Sequence, residues 1–288
     1  MRLFLLTLLC MTFFSLNSIL CRLALVVWGM EPLAYTATRN LSAAAMLGGV
    51  CALFIPHGTE KRERHPWKQA MEQSSWKGAT LLFLYMLTFS LSYVAIPSAA
   101  GTLILNTAVQ VSMIGWGLMT GLRPGGPQLA GLALALTGVA VLLLPGVSAP
   151  SPAHALLMGA SGLFWGAYCL CGRGISSASS ATCGNFLRSA PMGLVAALAA
   201  LMLGNAPSLP ALACAVTAGA VASGLGYMLW YAIVPRYSIL AASAIQLSVP
   251  PVTAVLGAIL LAEPITVHIV FCTLLILGGI LLTLKPRT

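Results

Sequence analysis

Residues 3–28 read LFLLTLLCMTFFSLNSILCRLALVVW. Arg22 is the only charged residue in this largely apolar run, which exceeds the roughly 20 residues that a helix needs to cross a bilayer core. The start, Met1-Arg2 followed by apolar residues, has the outline of a secretion signal. The run nevertheless continues to Trp28 without a small-x-small cleavage site, and neither Cys10 nor Cys21 follows the small residue that lipidation requires. The stretch reads as a retained first spanning helix.

Outward from this run the same texture repeats. Pro32–Ile55, Gly78–Ala95, Ser98–Met119, Gln128–Leu144, His154–Gly172, Thr182–Leu203, Leu209–Tyr231, Ser238–Leu261 and Thr266–Leu284 bring the expected spans to ten. The joints carry helix breakers, among them Pro32, Pro97, Pro124, Pro127, Pro145 and Pro207, and only His57–Lys77 reads as a substantial polar loop. Of the 288 residues 59% are hydrophobic and 7% charged, against about 25% charged in soluble domains. Aspartate is absent, and the acids are Glu31, Glu60, Glu63, Glu72 and Glu263. A water-facing surface cannot be built from this inventory. The expected fold class is all-α, a polytopic membrane protein in contact with lipid.

The net charge of +9 would suit nucleic acid only if the basic residues shared a patch. They stand singly between apolar runs, so no nucleic-acid partner is expected. Their placement gives orientation instead. With a cytoplasmic N-terminus the inside segments hold Arg2, Lys61, Arg62, Arg64, Lys68, Lys77, Arg123, Arg173, Arg236, Lys285 and Arg287. The outside joints hold no lysine or arginine, only Glu31 and Glu263. That asymmetry puts both termini in the cytoplasm and the protein in the cytoplasmic (inner) membrane. Arg22, Arg39 and Arg188 lie within spans, where each must pair, snorkel or face a wet cavity.

The eight cysteines fall inside the expected spans and read as small apolar filler. Cys169-x-Cys171 lacks zinc-like spacing and a second ligand pair, so neither metal nor cofactor is expected.

The halves echo each other. Phe13-Phe14-Ser-Leu-Asn17-Ser-Ile-Leu-Cys-Arg22 aligns with Phe164-Trp165-Gly-Ala-Tyr168-Cys-Leu-Cys-Gly-Arg173, Arg39 with Arg188, Tyr93 with Tyr231, Leu122-Arg-Pro124 with Ala262-Glu-Pro264, and Gly138 with Gly278. Five spans per half is an odd number, so residues 146–288 would enter the membrane inverted relative to residues 1–145. Inverted repeats of this kind are built into many secondary transporters, with a site near midplane between the copies.

The arrangement resembles the drug/metabolite transporter superfamily, specifically its ten-helix EamA-type exporters. The most family-like stretches are Tyr231-Ala-Ile-Val-Pro-Arg-Tyr-Ser238, Pro250, Leu260-Leu-Ala-Glu263-Pro264 and Leu277-Gly-Gly279. The resemblance implies two inverted five-helix repeats in one integrated membrane domain, a central cavity, alternating access and metabolite export. The first half departs from the pattern, with Gln110 where Pro250 stands and Arg123 where Glu263 stands.

Candidate substrate-binding residues follow from spacing. Ser98, Thr102, Asn106 and Gln110 share one face of the fourth span, and a polar stripe avoids lipid, so it lines a cavity or bonds a neighbouring helix. Gln246 is the counterpart of Asn106 in the ninth span. Phe14 and Asn17 correspond to Trp165 and Tyr168, and an aromatic set at Tyr85, Phe89 and Tyr93 corresponds to Ser223, Tyr227 and Tyr231. Each of these rings can equally be core. Arg39 and Arg188 could hold a carboxylate or phosphate, or bond carbonyls. Arg22 could pair with Glu31. Pro250 and Pro251 are expected to bend the ninth span or gate it, while Gly117/Gly121 and Gly162/Gly166 allow close helix contact.

The expected activity is secondary transport of small amphiphilic metabolites, amino acids among them, by a monomer or weak dimer. A passive channel is the alternative. An enzyme is not expected: Gly159-Ala-Ser161-Gly162 has the look of a rhomboid serine-protease motif, but His268 on a distant span is its only candidate base. No acid falls at midplane, which favours facilitated movement or exchange over carboxylate-linked proton antiport.

Overall fold

Proline and glycine punctuate this chain because proline suits a helix's first turn and glycine accepts the left-handed turn that ends one. The computed structural model describes residues 2–54, 66–121, 125–144, 150–172, 175, 177–204, 206–233, 236, 245–246 and 248–283. Lys61, Arg62, Arg64, Arg123, Pro124, Pro145, Arg173, Lys285, Arg287 and the motif residues Pro235, Tyr237 and Ser238 lie outside them.

The described elements are helices: α1 (Arg2–Arg22), α2 (Pro32–Phe54), α3 (Pro66–Gln73), α4 (Trp76–Tyr93), α5 (Ser98–Met119), α6 (Gly126–Leu142), α7 (Pro152–Cys171), α8 (Ala178–Met202), α9 (Leu209–Thr217), α10 (Gly226–Ile233), α11 (Val249–Leu261) and α12 (Val267–Thr283). Helix α1 runs on into a π-helical turn, Leu23–Val27, and a second π-helical segment, Ala218–Leu225, joins α9 to α10. Among the described residues five helices are long and apolar enough to cross a membrane: Arg2–Val27, Ser98–Met119, Pro152–Cys171, Ser179–Met202 and Leu209–Trp230. Gly126–Leu142, Val249–Leu261 and Val267–Thr283 are shorter apolar helices.

The helices wear their apolar residues outside. Leu201 is 73% exposed and Val267 87%, while Ser15, Thr36, Arg39, Asn40, Ser90 and Ser189 are fully buried. In water such a surface would aggregate; in lipid it is the matched solvent, and polar groups belong between helices. The close contacts follow. A Cβ on Gly162 would sit 2.5 Å from the Leu105 carbonyl oxygen, and one on Gly279 2.5 Å from the Ala135 nitrogen, so these glycines bring α7 against α5 and α12 against α6. Asn40 Nδ2 donates to Ser189 Oγ at 2.7 Å, tying α2 to α8.

In terms of the expected spans, second packs on seventh (α2, α8) and fifth on tenth (α6, α12). The third packs on the sixth (α4, α7) and the first on the eighth (α1 with α10 and its π segment), while the fourth packs on the sixth (α5, α7) and the first on the ninth (α1, α11).

Several expectations change. The loop His57–Lys77 contains α3, whose Ala70 is fully buried and packs close to Gly184 of α8; eight residues fall below the span signal, but one apolar side suffices to dock them. Gly121 makes no close contact and instead has φ +84°, ending α5. Pro250 and Pro251 occupy the first turn of α11, where their missing N–H groups lose no helical bond.

Candidate functional site: a central cavity between α1, α4, α5, α7, α10 and α11

Phe14, Asn17 and Ser18 stand at i, i+3 and i+4 on α1, so they share one face. That face meets Tyr85 and Phe89 of α4, Thr102, Leu105 and Asn106 of α5, Trp165 of α7, Tyr227 of α10, Gln246, and Val249 of α11 around a cavity of about 70 Å³ of water-accessible space. The rings form a continuous wall. Trp165 lies 4.9 Å from Tyr85 and 5.2 Å from Tyr227 between centroids, and Phe14 meets Tyr227 edge-on at 5.8 Å. Asn106 Nδ2 donates to the Thr102 carbonyl at 2.8 Å, which leaves its Oδ1 as an acceptor.

Behind the wall lies Arg39, fully buried. Its Nε donates to Ser223 Oγ at 3.2 Å and its Nη2 to Tyr85 Oη at 3.4 Å. Its guanidinium carbon stands 4.9 Å from the Phe89 centroid and 5.6 Å from that of Tyr85. Ser223 Oγ in turn donates to Asn17 Oδ1 at 3.0 Å. Ser223 belongs to the π-helical segment, and the wide turn carries it to Arg39 and Asn17 together.

A second network closes one end, at the joints 94–97 and 262–266. Arg22 Nε donates to Glu263 Oε1 at 3.0 Å and its Nη1 to the Tyr93 carbonyl at 3.0 Å. Glu263 Oε2 accepts from the Ser98 backbone N–H at 2.9 Å and from Ser98 Oγ at 2.5 Å, so it caps α5. The hydroxyl of Tyr93 donates to Ser18 Oγ at 2.9 Å, joining this network to the cavity wall. Glu263 is held in place by its left-handed neighbour Ala262, φ 52°, an uncommon conformation for a residue with a Cβ. The expected Arg22–Glu31 pair does not form. Glu31 Oε2 instead accepts from the Ala34 N–H at 2.9 Å, capping its own helix.

Among the expected site residues, the structure brings Phe14, Asn17, Tyr85, Asn106, Trp165, Tyr227 and Gln246 to the cavity and Arg39 immediately behind it. It does not bring Arg188, Gln110, Tyr168, Pro250 or Pro251 to the lining. Arg188 clamps α3 to α8: its Nε donates to Ser74 Oγ at 2.8 Å, its Nη2 to the Met71 carbonyl at 3.1 Å, and it lies over Trp76. Tyr168 backs Trp165 at 5.5 Å and donates to Thr182 at 3.4 Å. Ser18, Leu105 and Val249 line the cavity without having been singled out in the sequence, and Phe89 of the aromatic set lines it too. For Ser18 the signal was available, since it lies one helical turn from Phe14. Ser161 donates to the Tyr85 carbonyl at 3.0 Å and is a helix-to-helix bond. Among the described residues no group of three or more His, Cys, Asp or Glu side chains comes together.

An all-helical chain with an apolar exterior and membrane-length helices is a multi-pass membrane protein, and this one encloses a cavity walled by rings and amides. The comparisons agree: the EamA-like transporter family matches residues 153–285. The Pseudomonas aeruginosa (strain PAO1) protein named "Uncharacterized protein PA1977" is 43% identical over 289 residues, covering 99% of this chain and 96% of that protein. A solved crystal structure, 19% identical, superposes with a TM-score of 0.61 over 96% of this chain and 94% of its own, which shows the fold alone. The chain belongs to the EamA-like transporter family of the drug/metabolite transporter superfamily.

Proposed function

We propose that the chain exports small amphiphilic metabolites across the cytoplasmic membrane by alternating access, with ten spans arranged as two inverted repeats, residues 1–145 and 146–288. One observation carries this reading: Phe14 and Trp165, and Asn106 and Gln246, pairs that the sequence aligns between the two halves, line the same cavity. The packing supports it. Exchanging the halves maps third-on-sixth onto eighth-on-first and fourth-on-sixth onto ninth-on-first, while second-on-seventh and fifth-on-tenth map onto themselves. A carrier whose halves rock about a shared midplane site has this pattern.

Counterflow in proteoliposomes tests the reading. Vesicles loaded with unlabelled phenylalanine, phenylacetate or phenethylammonium should take up the same labelled compound faster than empty vesicles, and uptake should saturate. Among the described residues none that lines the cavity carries a carboxylate, so counterflow should persist without an imposed pH gradient. Uptake linear in concentration and blind to the internal solute would indicate a channel. Strict dependence on the gradient, lost in Glu263→Gln, would place a proton site at Glu263.

Orientation has its own test. Lys77 and Ser208 are both exposed, and the charge asymmetry places the first inside and the second outside. Single cysteines at these positions should react accordingly: Lys77→Cys only after permeabilisation, Ser208→Cys in intact cells. The reverse pattern would overturn the direction assigned here. Ser74 suits labelling less well, because its hydroxyl accepts from Arg188.

A further inference from the structure

A guanidinium stays charged in a protein and can only donate hydrogen bonds. A buried charge is ordinarily paired. Arg39 is fully buried, its Nη1 has no hydrogen-bond partner, and among the described residues no carboxylate contacts it. Glu263 is committed to Arg22 and Ser98, and Glu31 to the start of its own helix.

The hydrogen-bond directions follow from this one donor. Ser223 Oγ accepts from Arg39 Nε, so its own hydrogen goes to Asn17 Oδ1. Asn17 is thereby fixed with its carbonyl oxygen turned to Ser223 and its NH₂ group left for the cavity that it lines. Tyr85 Oη accepts from Arg39 Nη2, so its own hydrogen is left to donate, and Tyr85 lines the cavity. One pole of the cavity thus presents the positive ends of two dipoles, backed by a whole positive charge.

We propose that this pole is a carboxylate subsite, and that the transported substrate is a small organic anion. The Asn17 amide and the Tyr85 hydroxyl donate to its carboxylate under the field of Arg39, and its apolar body lies against Phe14, Trp165 and Tyr227. This rests on the reading of the cavity as the transport site. Aromatic walls by themselves would also suit an organic cation. Here Arg39 already lies against Tyr85 and Phe89, and its charge repels a second cation. Arg39 acts through Asn17 and Tyr85, as a positioning residue.

Thermal-shift titration of the purified protein with phenylacetate, phenylacetamide and phenethylammonium separates charge from shape. Phenylacetate should stabilise at roughly 10- to 100-fold lower concentration than the amide, the span that a charge-assisted hydrogen bond gives, and the ammonium should not stabilise. Arg39→Lys should keep part of that preference and Arg39→Met should erase it. Where Arg39→Met does not fold, Asn17→Asp still accepts from Ser223 but puts a negative charge at the pole, and it should reverse the order in favour of the ammonium. Equal response to carboxylate and amide, tighter binding of the ammonium, no response to the carboxylate, or an unchanged order in Asn17→Asp overturns the inference. Counterflow of the amide or amine alone would sink the subsite and keep the carrier. Carboxylate binding without any counterflow would sink the carrier and keep the subsite.

Discussion

Glu263→Leu is expected to lower the stability of the purified protein by about 3–5 kcal/mol, the usual effect of breaking one side of a buried ion pair. Glu263 and Arg22 are only 13% and 14% exposed, so water cannot replace the lost partner. Three donors converge on the carboxylate: Arg22 Nε, the Ser98 N–H and the Ser98 hydroxyl. Removing it leaves Arg22 with the Tyr93 carbonyl alone and uncaps α5. Glu263→Gln keeps a carbonyl for Ser98 and loses the charge, so about 1–2 kcal/mol is expected. Melting of the two variants in detergent, together with Arg22→Met and the double variant, checks this. Strictly additive losses in the double variant would show that the pair does not couple.

Asn106→Leu and Gln246→Leu are each expected to cut transport about ten-fold or more while leaving folded yield unchanged, because one buried hydrogen bond to a substrate contributes on the order of 1.4 kcal/mol or more. Asn106 bonds only within its own helix, to the Thr102 carbonyl, so the fold loses roughly half a kcal/mol. Trp165 requires a gentler change. It contacts Tyr85, Tyr168 and Tyr227, and truncation to alanine would empty the centre of the aromatic wall at a cost of about 3–5 kcal/mol. Trp165→Phe keeps a ring and should weaken transport through the substrate alone. Gel filtration beside initial rates makes the comparison. Normal transport in all three variants would show that these side chains serve packing and that the site lies elsewhere.

Much of the local structure was legible in the sequence because the signals are local. A long apolar run must form its backbone hydrogen bonds internally once in lipid, so length and composition mark a helix. Pro32, Pro152 and Pro210 open helices where they stand. The short α3 was not legible: its eight residues carry a single apolar side, and only docking on α8 makes that side count. That Pro250 and Pro251 stand in the first turn of α11 was not legible for a related reason, since a proline pair reads the same whether it kinks one helix or starts the next.

The cavity was half legible. Phe14, Asn106, Trp165 and Gln246 announced themselves through spacing and through their counterparts in the other half. The arginines did not sort themselves. Arg39 and Arg188 look equivalent in sequence, yet one is sealed among rings and the other holds α3 at the protein's edge. Arg22 suggested nearby Glu31 as its partner, and the structure pairs it instead with Glu263, 241 positions away.

The sequence by itself determined that this chain lives in lipid and where most of its helices begin. Each depends on a residue's partition between water and hydrocarbon or on its own backbone angles, and neither needs a distant partner. Only the tertiary structure decided which polar groups meet. Arg39 reaches Ser223 across 184 positions, and Ser223 reaches Asn17 across 206. No local pattern encodes such contacts. They form because polar side chains shut out of lipid find acceptors only where packed helices bring them together.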